Sequence, residues 1–285
     1  MASIKAIKRR IASVNNTKHI MKAMDLVAAS KLQKAKTKLD AIRPLYDNIT
    51  LVMDGIKARM GSENVAFGVK REVKNIAYVV LTSDRGLCGG YNINVSKEAL
   101  AFIHANQDKQ EKIITVGTKG LEYFRRRGKN VVHKYSGLTE TTFYENAERI
   151  GNLIASMYTS GEVDEAYLVF THFESILTHT PCKVKLLPIS TESDGESSQG
   201  TMAYEPDIAT FITYAVPMYL NMFIYGAMVE SAVCENASRM TSMDAATRNA
   251  SAIIDDLTLE YNRKRQGMIT QEITEIVSGA ANALQ

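Results

Sequence analysis

Residues 4–60 read IKAIKRRIASVNNTKHIMKAMDLVAASKLQKAKTKLDAIRPLYDNITLVMDGIKARM, and the reading of this stretch decides the fold. Stepping alternately by three and four from Ile4, positions 4, 7, 11, 14, 18, 21, 25, 28, 32, 35, 39, 42, 46, 49, 53 and 56 hold Ile, Ile, Ile, Val, Lys, Met, Asp, Ala, Leu, Ala, Leu, Ile, Tyr, Ile, Met and Ile. Only Lys18 and Asp25 interrupt the apolar seam. That is a coiled-coil period, not a globular one. At 1.5 Å per residue the helix would run roughly 80 Å, longer than a small domain is wide. Pro44 is expected to kink it, because proline removes a backbone donor and crowds the preceding turn.

The other end of the chain repeats the pattern. A second long helix is predicted from Pro206 in Tyr204-Glu-Pro-Asp, since proline suits a first helical position. Ala246, Ala250, Ile253 and Leu257 carry its seam. The spacing by four of Leu257, Tyr261, Arg265 and Ile269 reads as a stutter, after which Ile269, Ile273, Ile276, Ala280 and Ala283 resume the alternation. A strict seam requires a partner, and an antiparallel pairing of the two ends is the economical arrangement.

Between the ends the period changes. Residues 75–83, 112–117, 130–134, 165–173 and 183–189 are short β-branched and aromatic runs, the last with Pro188 as an edge signal. Helical patterns intervene at 94–105, at 118–127 closed by Gly128, and at 142–158, which opens with a Thr142-x-x-Glu145 capping box. Alternating strands and helices imply a mainly parallel sheet covered on both sides. Residues 190–205 read as a polar loop. The predicted architecture is α/β: a long antiparallel coiled coil of N- and C-terminal helices (1–60 and 206–285) plus a central Rossmann-like three-layer α/β domain (61–205).

Composition fits a folded chain. Of 285 residues, 45% are hydrophobic and 23% charged, which excludes a disordered protein. Cys88, Cys182 and Cys234 cannot all pair and show no metal-type spacing, so neither a disulfide scaffold nor a zinc site is expected. The first residues carry no secretory signal and leave no room for a transit peptide, which favours a bacterial protein. The net charge of +3 divides into +9 over residues 1–60, −2 over 61–205 and −4 over 206–285. Such a division suggests that the termini meet each other or meet different partners.

The stretch Ser83-Asp-Arg-Gly-Leu-Cys-Gly-Gly-Tyr-Asn92 follows the first predicted strand. Open α/β sheets take ligands there, but the chain has neither GxGxxG nor GxxxxGK[ST], so a tight, close-packed turn is preferred to a phosphate cradle. No base is apparent beside Cys88, which reads as a buried or interfacial thiol. His172 and His179 are expected to be exposed or hydrogen-bonded rather than ligands. The uncharged run 208–229 is long enough to span a bilayer. Its Thr210, Thr213, Pro217, Asn221 and Gly226, with acidic flanks, favour a core helix instead. The lysines of residues 5–38 form a solvated face or face acidic partner segments. In the uncharged residues 276–285 we read either a frayed end or a tip enclosed in an apolar sleeve.

These features together resemble the gamma subunit of bacterial F-type ATP synthase. The resemblance is carried by Ile11-Ala-Ser-Val-Asn-Asn-Thr-Lys18 with Met21-Lys-Ala-Met-Asp-Leu-Val-Ala-Ala-Ser-Lys-Leu32, by the 83–92 stretch, and by Ala237-Ser-Arg-Met-Thr-Ser-Met-Asp-Ala-Ala-Thr-Arg-Asn-Ala250 with residues 262–280. It implies a non-catalytic rotor shaft with no catalytic residue, cofactor or metal of its own. Implied partners are the alpha and beta subunits of the catalytic hexamer, the epsilon subunit and the c ring. No nucleic acid is implied, and membrane contact is through the ring alone, on the cytoplasmic face of the bacterial plasma membrane. Residue by residue, Met24, Arg239 and Gln271 match contacts with the catch region of β, and Arg85 and Cys88 match a loop near its base. Tyr204 and Glu205 match a segment lying on the c ring. Residues 190–205 lack the cysteine pair of chloroplast members, so thiol regulation is not expected. Pro217 and the Met/Tyr-rich stretch around it depart from the family pattern. A nucleotide-binding α/β domain with helical arms, and a membrane or nucleic-acid scaffold, are the competing readings.

Overall fold

The computed structural model describes residues 3–60, 67, 71–189 and 208–283. Ten elements follow in order: α1 (Ile4–Met60), β1 (Asn75–Leu81), α2 (Tyr91–Ala105), β2 (Gln110–Val116), α3 (Thr118–Arg125), β3 (Val131–Tyr135), α4 (Phe143–Thr159), β4 (Glu165–Phe173), β5 (His179–Leu187) and α5 (Ile208–Ala283). Pro44 and Pro217 lie inside α1 and α5 without ending them. Two compact units divide the chain: Met1–Ala28 with Met240–Gln285, and Ala29–Arg239.

In the larger unit a five-stranded sheet runs in the order β3-β2-β1-β4-β5. The β1, β2, β3 and β4 pairings are parallel, and β5 closes one edge antiparallel to β4. Strand alternation sorts β1 between two layers. Ala77, Val79 and Leu81 face a core shared with α4 and α5, while Ile76, Tyr78 and Val80 face Val95, Ala99 and Ile103 of α2 and Phe124 of α3. Helices therefore cover both faces, as the alternating grammar predicts. The uncharged run of α5 is the lid of this core: Ile212, Val216, Leu220 and Ile224 have no exposed surface. By length and composition α5 passes for a membrane span, with mean hydropathy 1.3 over its most apolar window. Its buried apolar side chains pack on the sheet instead, while Tyr214 and Met218 of the same run face outward.

Gly117 is required where β2 hands over to α3. Its φ is 93°, and a Cβ there would press on the Thr82 carbonyl at the end of β1. Gly128, at φ 67°, ends α3 in the left-handed conformation as the sequence suggests. The capping box does not form. Thr142 makes no side-chain cap bond, and its hydroxyl exchanges hydrogen bonds with Thr139, while Glu145 pairs with Arg149 at 2.6 Å. His172 Nδ1 meets Glu230 Oε1 at 2.7 Å, and that same carboxylate oxygen accepts the Phe173 N–H.

The smaller unit is a pair of helical segments. On α1, the seam positions Ile4, Ile7, Ile11, Val14, Lys18, Met21, Asp25 and Ala28 are all buried or half-buried, and the residues between them are exposed apart from Met24. Asp25 is accommodated by a 2.9 Å ion pair with Lys22. That hydrogen bond, and then the Asp25 charge, hold the Lys22 ammonium above its ordinary value, with Asp244 of α5 adding to the field. From this meeting point the α1 seam runs back to Ile4 and the α5 seam runs on to Lys264, so the two segments are antiparallel.

On α5 the predicted seam holds at Ala246, Ala250 and Leu257 and fails at Ile253. Met243, Ala250 and Leu257 are buried, Thr247, Ile254, Tyr261 and Lys264 half-buried, and Ile253 is 45% exposed. Steps of four and three continue through Lys264, so the expected stutter at Arg265 leaves no trace in the burial. Beyond Lys264 every residue through Gly279 is exposed. Ile269, Ile273 and Ile276 keep the alternation in sequence but are 46–71% exposed.

Candidate functional site

The predicted site residues fall into three places. Met24 and Gln271 belong to the helical pair: Met24 is half-buried beside the seam, and Gln271 is exposed and bonded to Glu275 at 2.9 Å. Tyr204 and Glu205 lie outside the described residues, as do Pro206 and the rest of the 190–205 loop. Arg85, Cys88 and Arg239 come together in the larger unit, although 150 residues of sequence separate the loop from α5.

The loop between β1 and α2 is built from its own side chains. Ser83 Oγ donates to the Arg85 carbonyl at 2.6 Å, and the Asn92 amide accepts the Ser83 N–H at 2.9 Å while donating to Cys88 Sγ at 3.1 Å. Two consecutive residues of α5 then grip it. Ser238 Oγ donates to the Cys88 carbonyl at 2.6 Å, and Arg239 Nη2 reaches the Gly86 carbonyl at 3.4 Å while pairing with Glu235 at 2.7 Å. Cys88 is 2% exposed and packs with Tyr91, Cys234 and Phe173. Burial pushes its thiol above the ordinary value, outweighing the Ser83 hydrogen bond and the Arg239 charge. Such a thiol is a poor nucleophile at neutral pH. Arg85, Leu87, Gly89 and Gly90 are exposed, and the first two carry the loop's exposed side chains.

Asp84, which sequence reasoning passed over, ties three strand ends together. One carboxylate oxygen accepts the Thr118 N–H at 2.9 Å and the Thr118 hydroxyl at 2.7 Å, and the other accepts the Gly137 N–H at 2.8 Å. It thus occupies the N-terminus of α3, where the helix dipole would otherwise attract a phosphate. A cavity of about 60 Å³ lies alongside, at the carboxyl ends of β1 and β2, lined among others by Asp84, Tyr91, Ser231 and Glu235. Open α/β sheets bind ligands at such a position. Here the anion-attracting helix end is filled by a carboxylate of the chain itself, and a second carboxylate faces the same space. A nucleotide phosphate is disfavoured by both. Among the described residues no cluster of His, Cys, Asp and Glu suits a metal ion.

The surface of the helical pair is the second unusual feature. Ile20, Leu26 and Val27 on α1 are 57–61% exposed, and Leu259, Met268, Ile273, Ile276 and Val277 on α5 are 50–71% exposed. Apolar side chains point outward along both helices, on a pair whose own seam is thin. A family model described as ATP synthase matches residues 3–284. Over 280 residues the sequence is 42% identical to the ATP synthase gamma chain of Alkaliphilus metalliredigens (strain QYMF), covering 96% of each chain. The chain belongs to the ATP synthase gamma chain family.

A second relative, the sodium-ion-specific ATP synthase gamma chain of Acetobacterium woodii, is 38% identical over 299 residues and covers 98% of both chains. Among solved structures, a rotor chain of the Euglena gracilis mitochondrial ATP synthase matches with a TM-score of 0.66 at 13% identity, covering 93% of this chain and 98% of that one. The likeness there is one of fold. As a gamma chain, the protein is a subunit of an F-type ATP synthase. The resemblance carried by the three sequence motifs therefore identifies the family correctly.

Proposed function

We propose that the chain is the central-stalk rotor of the synthase, a shaft without an active site that couples ion-driven turning of the c ring to ATP synthesis or hydrolysis at the β subunits. The observation that carries this reading is the outward-facing apolar surface of the helical pair. Exposed apolar surface of this extent marks a surface that works covered. Beyond Lys264 the unpaired part of α5 extends about 28 Å at 1.5 Å per residue, and its last charged side chain is Glu275. An uncharged tip suits rotation in a sleeve, because a fixed ion pair would single out one angle.

In this reading residues 1–60 and 206–285 form the shaft and 61–205 its foot. Met24, Arg239 and Gln271 meet the catch region of β. The loop holding Arg85 and Cys88 meets the base of β, Cys88 contributing through its backbone because its side chain is buried. Tyr204 and Glu205 rest on the c ring, epsilon docks beside the foot, and the whole sits on the cytoplasmic face of the bacterial plasma membrane. The chemistry takes place elsewhere; the shaft acts through differential binding. Each of its angles favours one conformation of a β subunit and so changes that site's affinity for nucleotide. Two features support the absence of an active site here: Asp84 fills the ligand position of the sheet, and the Cys88 thiol is held protonated. The expected result is no ATP hydrolysis by the purified chain, and a stable, active complex on addition of α and β subunits. Sustained turnover by the chain alone refutes the proposal.

A further inference from the structure

The charge of residues 61–205 is unevenly spread. Residues 119–134, over α3 and β3, hold six Lys and Arg against one acid, a net +5, while the remainder of 61–205 carries −7. Arg125, Arg126 and Arg127, at the end of α3, are all exposed. Arg127 is held by its own helix, 3.6 Å from the Tyr123 ring centre, with Nη1 donating to the Tyr123 carbonyl at 3.0 Å. Among the described residues Arg125 and Arg126 form no ion pair. Glu122, which feels the Arg126 charge, is paired with Lys119 at 2.9 Å, and Glu111 with Lys129 at 2.8 Å. Three neighbouring cations repel one another, and their field points outward to an anion that the chain does not supply.

The topology fixes where they point. α3 leads from the end of β2 back to the start of β3, which is parallel to β2, so Arg125–Arg127 lie at the amino ends of the strands. Acids at that end are engaged: Glu162 pairs with Lys112 at 2.7 Å, and Asp164 accepts the Lys74 and Asn75 N–H groups at 2.9 Å. The loop gripped by Ser238 and Arg239 lies at the opposite, carboxyl end of β1. On the other face of the sheet, α5 approaches α4 where Asn221 meets Gly151. Tyr214 precedes Ser238 by 24 residues, about 36 Å of helix, against about 23 Å for β1. It therefore lies at the amino ends too. Tyr214 is 76% exposed and Met218, one turn on, 61%. They belong to the Met/Tyr-rich stretch that departs from the family pattern, and α5 has no use for them in the core. Both faces of one end of the sheet thus carry outward side chains, cationic on α3 and amphipathic on α5.

We infer that this end of the larger unit lies against an anionic lipid surface, Arg125–Arg127 meeting lipid phosphates and Tyr214 and Met218 entering the headgroup layer. Clustered basic residues are drawn to anionic headgroups, guanidinium groups bind phosphate in a fork, and tyrosine suits a boundary that is apolar on one side and wet on the other. The contact is with lipid itself, beyond any contact with the ring. Its direction rests on the central-stalk proposal, in which the chain leaves the larger unit at Arg239 toward the catalytic hexamer, so that the opposite end faces the membrane. Lipid also suits a turning part. It is fluid, and attraction to it holds at every angle, whereas a stationary acidic protein would single out one.

The test uses the full chain assembled with α and β subunits, and vesicles that contain no ring: phosphatidylcholine alone, or with about 30% phosphatidylglycerol. Flotation measures binding, with α and β alone as the background. The complex is expected to bind the phosphatidylglycerol vesicles at about 0.05 M salt and to release them at about 0.5 M. Replacing Arg125, Arg126 and Arg127 together by Gln should weaken binding about 100-fold, at about fivefold per charge. Tyr214→Ser with Met218→Ser should weaken it about 10-fold. Replacing Lys31, Lys34 and Lys36 by Gln removes as many charges from α1 and should leave it unchanged. An equal loss in that lysine variant reduces the effect to net charge and overturns the inference. So does equal binding to phosphatidylcholine alone, or an arginine variant that keeps its vesicle binding and loses affinity for epsilon instead. A complex that assembles but ignores both kinds of vesicle refutes this inference alone; a wild-type chain that fails to assemble with α and β refutes the central-stalk proposal, and this inference with it.

Discussion

Replacing Asp84 by alanine removes the acceptor that joins the ends of β1, α3 and the turn after β3. Three hydrogen bonds to a carboxylate are lost, at 2.9, 2.7 and 2.8 Å. Bonds to a charged group contribute roughly 1.5–3 kcal/mol each when buried. Asp84 is only half-buried, so water takes over part of the role, and the Thr118 hydroxyl finds another partner easily. Two stranded backbone N–H groups and the lost helix-end interaction then leave a cost of about 3 kcal/mol. For a unit of this size, residues 29–239, that lowers the melting temperature by about 6–12 °C. Asp84→Asn keeps one acceptor but turns an amide N–H toward the donor of Gly137, so about half the loss is expected. Circular dichroism of the full chain during heating measures both. A loss under about 1 kcal/mol for the alanine variant, or an asparagine variant worse than alanine, refutes the assignment of Asp84 as the clasp of these strand ends.

Three further outcomes follow from the same structure. Gly117→Ala places a methyl group against the Thr82 carbonyl at φ 93°, and a loss of about 3 kcal/mol or more is expected; a near-neutral urea titration contradicts the packing described. Asp25→Leu makes the α1 seam continuous and removes a carboxylate whose main partner, Lys22, is itself 55% exposed, so a gain of about 1–2 kcal/mol in unfolding free energy is expected, and destabilisation counts against the seam. Burial, with the Glu230 charge behind it, pushes the Cys182 thiol up to about 11 from an ordinary 9.0, and burial raises Cys88 and Cys234 as well. The folded chain thus keeps protons that the unfolded chain releases, so this contribution is complete below pH 9.0 and is lost as pH rises to about 11. Denaturant midpoints across that window should fall, less steeply in Cys182→Ala; a flat profile contradicts the burial of these thiols.

Local periodicity carries much of the fold. The α1 seam is legible from Ile4 to Ile42, where each step of the seam is buried or half-buried, because one helix face must be apolar to pair; the side chains of Tyr46, Ile49, Met53 and Ile56 lie outside the described residues. Strand positions in the central region are legible within a few residues, since β1, β2 and β4 are buried on both faces and read as unbroken apolar runs. On α5 the register slips by one at Ile253 and Ile254, adjacent and equally apolar, where the period alone cannot choose. The Thr142–Glu145 pattern has the right spacing for a cap, but the nearby Thr139 turn competes for the hydroxyl. The candidate site is legible only as a motif. Nothing in local sequence announces that Ser238 will hold the Cys88 carbonyl or that Leu87 will adopt a left-handed backbone, because both depend on a contact between distant segments.

The central claim is that this chain turns inside a catalytic assembly and does no chemistry itself. Its most direct test attaches a fluorescent bead to a cysteine placed in the foot of the chain, within a surface-immobilised complex with α and β subunits, and follows the bead as ATP is supplied. Stepwise rotation in one direction, with a rate that tracks hydrolysis, is the result expected; hydrolysis continuing while the chain stays fixed relative to its partners would contradict the account.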